Sequence, residues 1–295
     1  MNIYRNWFLA SRPWSFTMTA ISVSVGGALA AIDGWFSVGL FGFSLVSGVF
    51  LHAATNLIND YYDVKSGVDT REVSTAQYRP HPLLEGKLTP KSVLTAALLL
   101  YGVATLIGLF LVATRGWPIL YIGLAGTFAS LTYTAPPFKY KYSALGEISV
   151  FLMWGPLMVM GSYFVQRQVF SAGAFWISLP FGVLVALVLL ANNIRDVNHD
   201  RDKGILTLPI VIGQRNGLRL YMALVVLAYL GIIGMSFFGP LHLWSLIVLI
   251  SLPLAVRLLR QMMQQVPIDA DAQTAQLDTA FGVLLVISLV LEGVF

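Results

Sequence analysis

The sequence predicts an all-α, multi-pass membrane protein with nine transmembrane helices, and three observations carry that reading. Hydrophobic residues make up 57% of the 295 and charged residues only 11%. Mean hydropathy is +0.76, and the apolar residues gather into nine runs of roughly 16 to 22 residues, the length that spans a bilayer as a helix. An ordinary soluble domain is about one-quarter charged, so lipid must serve as much of this chain's solvent.

Taken in order, the first run (14–32) follows Arg5 and Arg12. It lacks a small-residue cleavage site and is long enough to be a retained first span. The second (36–54) ends in the cluster NLINDYYDVKSGVD at 56–69. From Asp60 to Pro90 runs a long loop carrying Lys65, Arg71, Arg79, Lys87, Pro80, Pro82 and Gly86, and loops of that length are usually functional. The third and fourth runs (92–113 and 117–133) flank Arg115. The fifth (146–165) is followed by Arg167, and the sixth (175–191) closes in a second cluster, NNIRDVNHDRD at 192–202. The last three lie at 220–238, 241–256 and 280–295. Neither a low-complexity segment nor a soluble domain is visible, so residues 1–295 read as a single helical domain. The pattern N-x-x-x-D at Asn56/Asp60 and Asn192/Asp196 hints at an internal repeat of four helices.

Placing the amino terminus in the cytoplasm puts every Lys and Arg except Arg115 and Arg167 on that side, which fixes the expected orientation in the cytoplasmic membrane. Among the acids only Asp33 and Glu292 then fall on the far side, so the working face is expected to be cytoplasmic. That topology accounts for the pI of 9.3. The basic residues form no patch interleaved with stacking aromatics, which argues against a nucleic-acid partner. The absence of cysteine removes disulfides, haem attachment and thiolate metal sites.

Seven of the fourteen acids, Asp60, Asp63, Asp69, Glu72, Asp196, Asp200 and Asp202, sit in the two clusters or, for Glu72, just past the first. If each span continues as a helix through its motif, Asp60 and Asp63, and likewise Asp196 and Asp200, share a face. Two such faces brought together would repel by about 4 kcal/mol per close pair at an effective dielectric of 20. A hard divalent cation fits between them, because the donors are carboxylate and amide oxygens and Mg²⁺ favours a few carboxylates plus substrate phosphate. Diphosphate is the natural co-ligand, with Lys65, Arg79, Lys139, Arg201 and Lys203 in the flanking loops as partners for its remaining charge. His52, His81 and His199 read as structural.

Written out, NDYYDVKSGVD and RDVNHDRDKG resemble the two aspartate-rich signatures of the UbiA-type intramembrane prenyltransferases, and SRPWSF at 11–16, RPHPLLEGKLT at 79–89 and YTAPPFKYKYSALGE at 133–147 extend the resemblance over nearly the whole chain. The form N-L-x-N-D-Y-x-D followed by Gly67 and Asp69, with GPLMVMGSYFVQ at 155–166 and the LGE ending at Glu147, is similar to the branch that prenylates 1,4-dihydroxy-2-naphthoate in menaquinone synthesis. Ile205 stands where members often carry a basic residue.

The resemblance implies nine helices around a central cavity, with Asp60, Asp63, Asp69, Asp196 and Asp200 holding Mg²⁺ on the diphosphate of a polyprenyl diphosphate. Asn56, Asn59 and Asn192 would assist as diphosphate partners. Asp63 and Asp196, with Tyr133 and Lys139 reaching the diphosphate and the forming cation, would be the catalytic set. The implied reaction is electrophilic prenylation of an aromatic acid, with an isoprenoid chain lying among helices that open to the bilayer and loss of the naphthoate carboxylate to give demethylmenaquinone. Tyr133, Trp154 and Tyr163 offer ring faces to a carbocation. The alternatives are another ring acceptor, such as 4-hydroxybenzoate or homogentisate, a cation-coupled transporter, or a non-catalytic quinone- or lipid-binding protein.

Overall fold

The computed structural model describes residues 3–294. A short helix α1 (Ile3–Ala10) leads to a left-handed turn at Arg12. Pro13, whose fixed φ suits a helix start, then opens one 3₁₀ turn into α2 (Phe16–Ile32). The Ser37 hydroxyl caps α3 (Val38–Lys65) by accepting the Leu40 amide. At 28 residues α3 is about 42 Å long, against about 30 Å of bilayer hydrocarbon, so its last turns can carry polar residues. The loop beyond holds α4 (Ser74–Tyr78).

A reciprocal Thr89–Ser92 cap starts α5 (Pro90–Arg115), and α6 (Trp117–Thr132) follows across Gly116. Next come α7 (Gly146–Leu152) and α8 (Met158–Arg167), joined through a π-helical turn at Met153–Leu157 that contains Pro156. α9 (Ala172–Arg195) is followed by the short α10 (Val197–Asp202) and α11 (Leu208–Ile212). α12 (Gln214–Phe238), a 3₁₀ stretch Leu243–Ser251 leading into α13 (Leu252–Gln264), and α14 (Ala270–Val294) complete the bundle.

Among the described residues eight helices are long and apolar enough to cross a membrane, counting α1 with α2, α7 with α8, and the 3₁₀ stretch with α13 as single spans. The protein is a multi-pass membrane protein. The expected nine spans are off by one: the run at 117–133 is α6, at 16 residues the shortest of the set. The last run, expected at 280–295, begins earlier, at Ala270, and its residue 295 lies outside the described residues.

α9 is the hub. Phe181, Leu184, Leu187, Leu190 and Ile194 on it are fully or nearly fully buried, packed with Ile21 and Val25 of α2, Tyr221 and Ile232 of α12, and Phe281 and Leu285 of α14. On its other flank a Cβ added at Gly182 would lie 2.7 Å from the Gly155 Cα, so α9 and the π turn touch backbone to backbone, a contact only small residues allow. The outer faces of α5 and α6 present Leu98, Leu99, Leu106, Tyr121, Leu124 and Phe128, the surface a bilayer would cover.

Candidate active site

The apolar part of α3 ends near Leu57, yet the helix runs on to Lys65 and brings Asn59, Asp60 and Asp63 inside the protein, Asp63 at 1% exposure. Buried carboxylates need partners, and each has one from far along the chain. The Arg12 guanidinium pairs with Asp60. Lys141 Nζ lies 2.8 Å from Asp63 Oδ2 and 3.2 Å from Asn59 Oδ1. The Tyr142 hydroxyl donates to the other Asp63 oxygen.

After Gly67, which takes φ 73°, the chain folds back so that the Val68 and Asp69 amides donate to the Asp63 carbonyl at 2.9 and 3.1 Å. This fold-back sets the Asp69 carboxylate beside Asp60. His81 Nε2 points between them, 3.7 Å from Asp60 and 3.5 Å from Asp69, while Nδ1 accepts the Leu84 amide at 3.3 Å. Among the described residues His81 Nε2 has no hydrogen-bond partner. Ligand atoms of Asp60, Asp69 and His81 lie within 4.8 Å of one another, close enough to share a cation. Burial pushes the Asp69 carboxyl up, but His81, Lys141 and Arg12 outweigh it and hold the group at about 2.

The second motif departs from a continuous helix: α9 stops at Arg195, Asp196 forms the junction, and Asp200 lies on α10. Arg195 organises this half. It contacts Asp196 at 2.6 and 2.9 Å, Asn192 at 2.7 Å and Asp271 of α14 at 2.6 Å. Asp271 also accepts the Tyr78 hydroxyl at 2.6 Å.

The two halves are stitched together. Ser74, from the loop after the first motif, donates to Asp196 at 2.7 Å. His199 Nε2 lies 3.2 Å from the Val68 carbonyl, and the Ala144 amide donates to the Leu206 carbonyl at 2.8 Å. The motifs therefore converge at one end of the bundle.

Burial, followed by the Asp196 charge, pushes the Asp200 carboxyl up to about 7. If Asp200 is a cation ligand, a cation arriving there must displace the proton that Asp200 keeps below that pH. The affinity of the cluster for a divalent cation is therefore expected to rise up to about tenfold per pH unit until about pH 7, then level off. Titration with Mn²⁺ followed by electron paramagnetic resonance measures this, and a flat profile would remove Asp200 from the cation site.

A cavity of about 500 Å³ opens beside this cluster. Arg12, Asn59, Arg79, Lys141, Asn192 and Asp271 form its polar end, and Met18, Leu51, Ile122, Trp154, Leu157 and Leu189 line its apolar part. Tyr133 also lines it, with Lys141 Nζ 5.7 Å from the ring centre. Such a shape suits an amphiphile with an anionic head and a hydrocarbon tail.

The structure brings together Asp60, Asp63, Asp69, Asp196 and Asp200 with Asn59, Asn192, Arg79 and Tyr133. Four of the expected cations lie outside the cavity lining. Lys65 is exposed and rests on the Tyr61 hydroxyl at 3.3 Å, while Arg201 and Lys203 are exposed on and just past α10. Lys139 sits in a left-handed turn, φ 46°, outside the cavity lining, whereas Lys141 lines it. Asn56 lines the cavity, but its amide nitrogen is committed to the Ser11 carbonyl and the Ser15 hydroxyl at 3.0 and 3.1 Å. Glu72 and Asp202 are exposed. Sequence reasoning missed Arg12, Lys141, Tyr142, Arg195 and Asp271, and read His81 as structural. An ionised carboxylate taken out of water calls for such partners, but only the fold says which they are.

The chain matches the model of the UbiA prenyltransferase family over residues 19–285. It is 32% identical to the 1,4-dihydroxy-2-naphthoate octaprenyltransferase of Bacillus subtilis, over 96% of this chain and 91% of that one. It is 31% identical to UbiA prenyltransferase domain-containing protein 1 of Dictyostelium discoideum, over 96% and 87%. Its fold is similar to a solved UbiA homolog from Archaeoglobus fulgidus bound to GPP and Mg²⁺, with a TM-score of 0.66 at 15% identity, covering 96% of this chain and 99% of that one.

Proposed function

As the chain belongs to the UbiA prenyltransferase family, we propose that it transfers a polyprenyl group from polyprenyl diphosphate to 1,4-dihydroxy-2-naphthoate, with loss of the carboxylate and with Mg²⁺ on the diphosphate. The observation that carries the reading is the meeting of both aspartate motifs at the polar end of a cavity whose remaining wall is largely apolar. The naphthoate acceptor is supported by the name of the Bacillus relative. The distribution of Lys and Arg supports placing this end, and the amino terminus, on the cytoplasmic side of the inner membrane.

The residues present fit a divalent cation. Six carboxylates, Asp60, Asp63, Asp69, Asp196, Asp200 and Asp271, face four cations, Arg12, Arg79, Lys141 and Arg195. Diphosphate would deepen that negative excess in a desolvated place, and hard oxygen donors suit Mg²⁺. Asp60, Asp63 and Asp69 would hold it from one side, Asp196 and Asp200 from the other. Bound there, Mg²⁺ would neutralise charge developing on the departing diphosphate.

The chain's own groups do the rest. Arg12, Arg79 and Lys141 reach the cavity mouth and can meet phosphate oxygens, with Asn59 and Asn192 as neutral partners. The apolar wall would hold the isoprenoid and exclude water from the allylic cation, and Tyr133 and Trp154 offer it ring faces. The acceptor, held against C1 of the prenyl group, would attack with an electron-rich ring carbon.

Protein in nanodiscs, given polyprenyl diphosphate, Mg²⁺ and a panel of 1,4-dihydroxy-2-naphthoate, 4-hydroxybenzoate and homogentisate, is expected to prenylate the naphthoate with release of CO₂. Excess EDTA should abolish turnover and added Mg²⁺ restore it. Product from a different acid alone would change the acceptor; no product from any would sink the reading.

A further inference from the structure

A chain of hydrogen bonds runs along the cavity wall below the acidic cluster, and its direction can be deduced atom by atom. The Ser15 hydroxyl has a single proton, and at 2.7 Å it faces the Arg12 carbonyl, which can only accept. Ser15 Oγ also accepts from Asn56 Nδ2 at 3.1 Å. Toward His52 Nε2, 3.2 Å away, it has only a lone pair left, so His52 carries its proton on Nε2 and donates. His52 Nδ1 is then an acceptor, filled by the Thr19 hydroxyl at 2.8 Å, and Thr19 in turn accepts the Trp154 indole N–H at 3.1 Å. Every proton points the same way, from Trp154 toward the Arg12 carbonyl. Phe16 and Trp154 wall the imidazole, with ring centres 5.5 and 4.9 Å away.

The end of this chain, Arg12, links the wall to the cluster. Arg12 holds a left-handed backbone, φ 54° and ψ 58°, a region that residues with a Cβ rarely visit. Its carbonyl is pinned by both the amide and the hydroxyl of Ser15, at 2.9 and 2.7 Å, and the preceding Ser11 carbonyl by Asn56 at 3.0 Å. Its guanidinium meets Asp60 and lines the cavity. His52, Asn56 and Asp60 stand four residues apart on α3 and so share one face. The helix that presents the carboxylate thus also staples the turn that aims the arginine at it.

We propose that His52 is a positioning residue for the diphosphate, fixing through Ser15 the strained turn that sets the Arg12 guanidinium at the cavity mouth. The inference rests on the prenyl-transfer reading for its substrate. It differs from a packing role because only the Nε2 donor matters: a glutamine amide reaches the Nε2 position and can donate to Ser15, whereas the shorter asparagine reaches only the Nδ1 position.

The test is steady-state kinetics of H52Q, H52N and S15A in nanodiscs, with melting temperatures measured in parallel. H52N and S15A are expected to raise KM for polyprenyl diphosphate about tenfold, the size of one hydrogen bond, leaving the acceptor KM unchanged. H52Q should stay within about twofold of the native enzyme. Equal behaviour of H52Q and H52N, a change confined to the acceptor KM, or a normal diphosphate KM in S15A would each overturn the proposal. If H52N fails to fold, S15A and H52Q decide alone. Native enzyme run beside them keeps the questions apart, since its inactivity would indict the reaction and not His52.

Discussion

Asp63→Asn is expected to lower kcat at least about a thousandfold while the protein still folds. Removing one group that stabilises transition-state charge costs about 10²–10³ in kcat, and Asp63 stands to lose two functions at once. It would cease to offer a charged oxygen to the cation, and it would loosen Lys141, which it holds at 2.8 Å. Asparagine is the right replacement, because it keeps the size of the side chain and an oxygen for Lys141, while its NH2 can donate to the Tyr142 hydroxyl. Alanine would strand a buried ammonium, at a cost of about 3–5 kcal/mol, and confuse lost activity with lost fold. The measurement is kcat with saturating substrates beside a thermal melt. Activity within about tenfold of native, with an unchanged melt, would remove Asp63 from the chemistry.

The acids could be read from the sequence because the penalty that makes them conspicuous is local. A carboxylate at the end of an apolar run is costly wherever the rest of the chain goes, and i, i+3 and i, i+4 spacing fixes a shared face once α3 is helical. The reading was less exact where the helix's own end was concerned. The apolar run stops at about residue 54, but backbone hydrogen bonds carry α3 on to Lys65, because Arg12 and Lys141 compensate the charges on its last turns.

The cations were the illegible part. Arg12 meets Asp60 across 48 residues and Lys141 meets Asp63 across 78, separations over which spacing carries no information. Lys139 and Lys141 look equivalent in the run KYK. What separates them is backbone: Lys139 turns left-handed at φ 46°, and the 3₁₀ turn that follows, with the Lys141 amide on the Tyr133 carbonyl at 3.0 Å, faces the second lysine inward. Near the second motif the sequence offered Arg201 and Lys203, whereas Arg195 is the arginine facing Asn192, Asp196 and Asp271. The helix break at Asp196 is what separates the two sets.

Lys141→Met should therefore lower kcat/KM for polyprenyl diphosphate by about 10²–10³, and Lys139→Met should change it by less than about twofold. Burial lowers the affinity of the Lys141 ammonium for its proton, but Asp63 and then Tyr142 and Asp69 raise it further, so the pKa ends above the usual lysine value. The group stays charged throughout the working pH range and is available to a leaving diphosphate. Arginine is a poor substitute at this position, since a planar fork cannot reproduce a point charge shared between Asp63 and Asn59. Methionine removes the charge while keeping the length, but leaves Asp63 uncompensated, so Lys141→Met alone should also melt lower when chelator is present. Combining it with Asp63→Asn removes both buried charges. The double variant is expected to recover most of the melting temperature and none of the turnover, which separates the ammonium's part in catalysis from its part in stability. Equal losses in Lys139→Met and Lys141→Met would place the catalytic charge elsewhere in the loop.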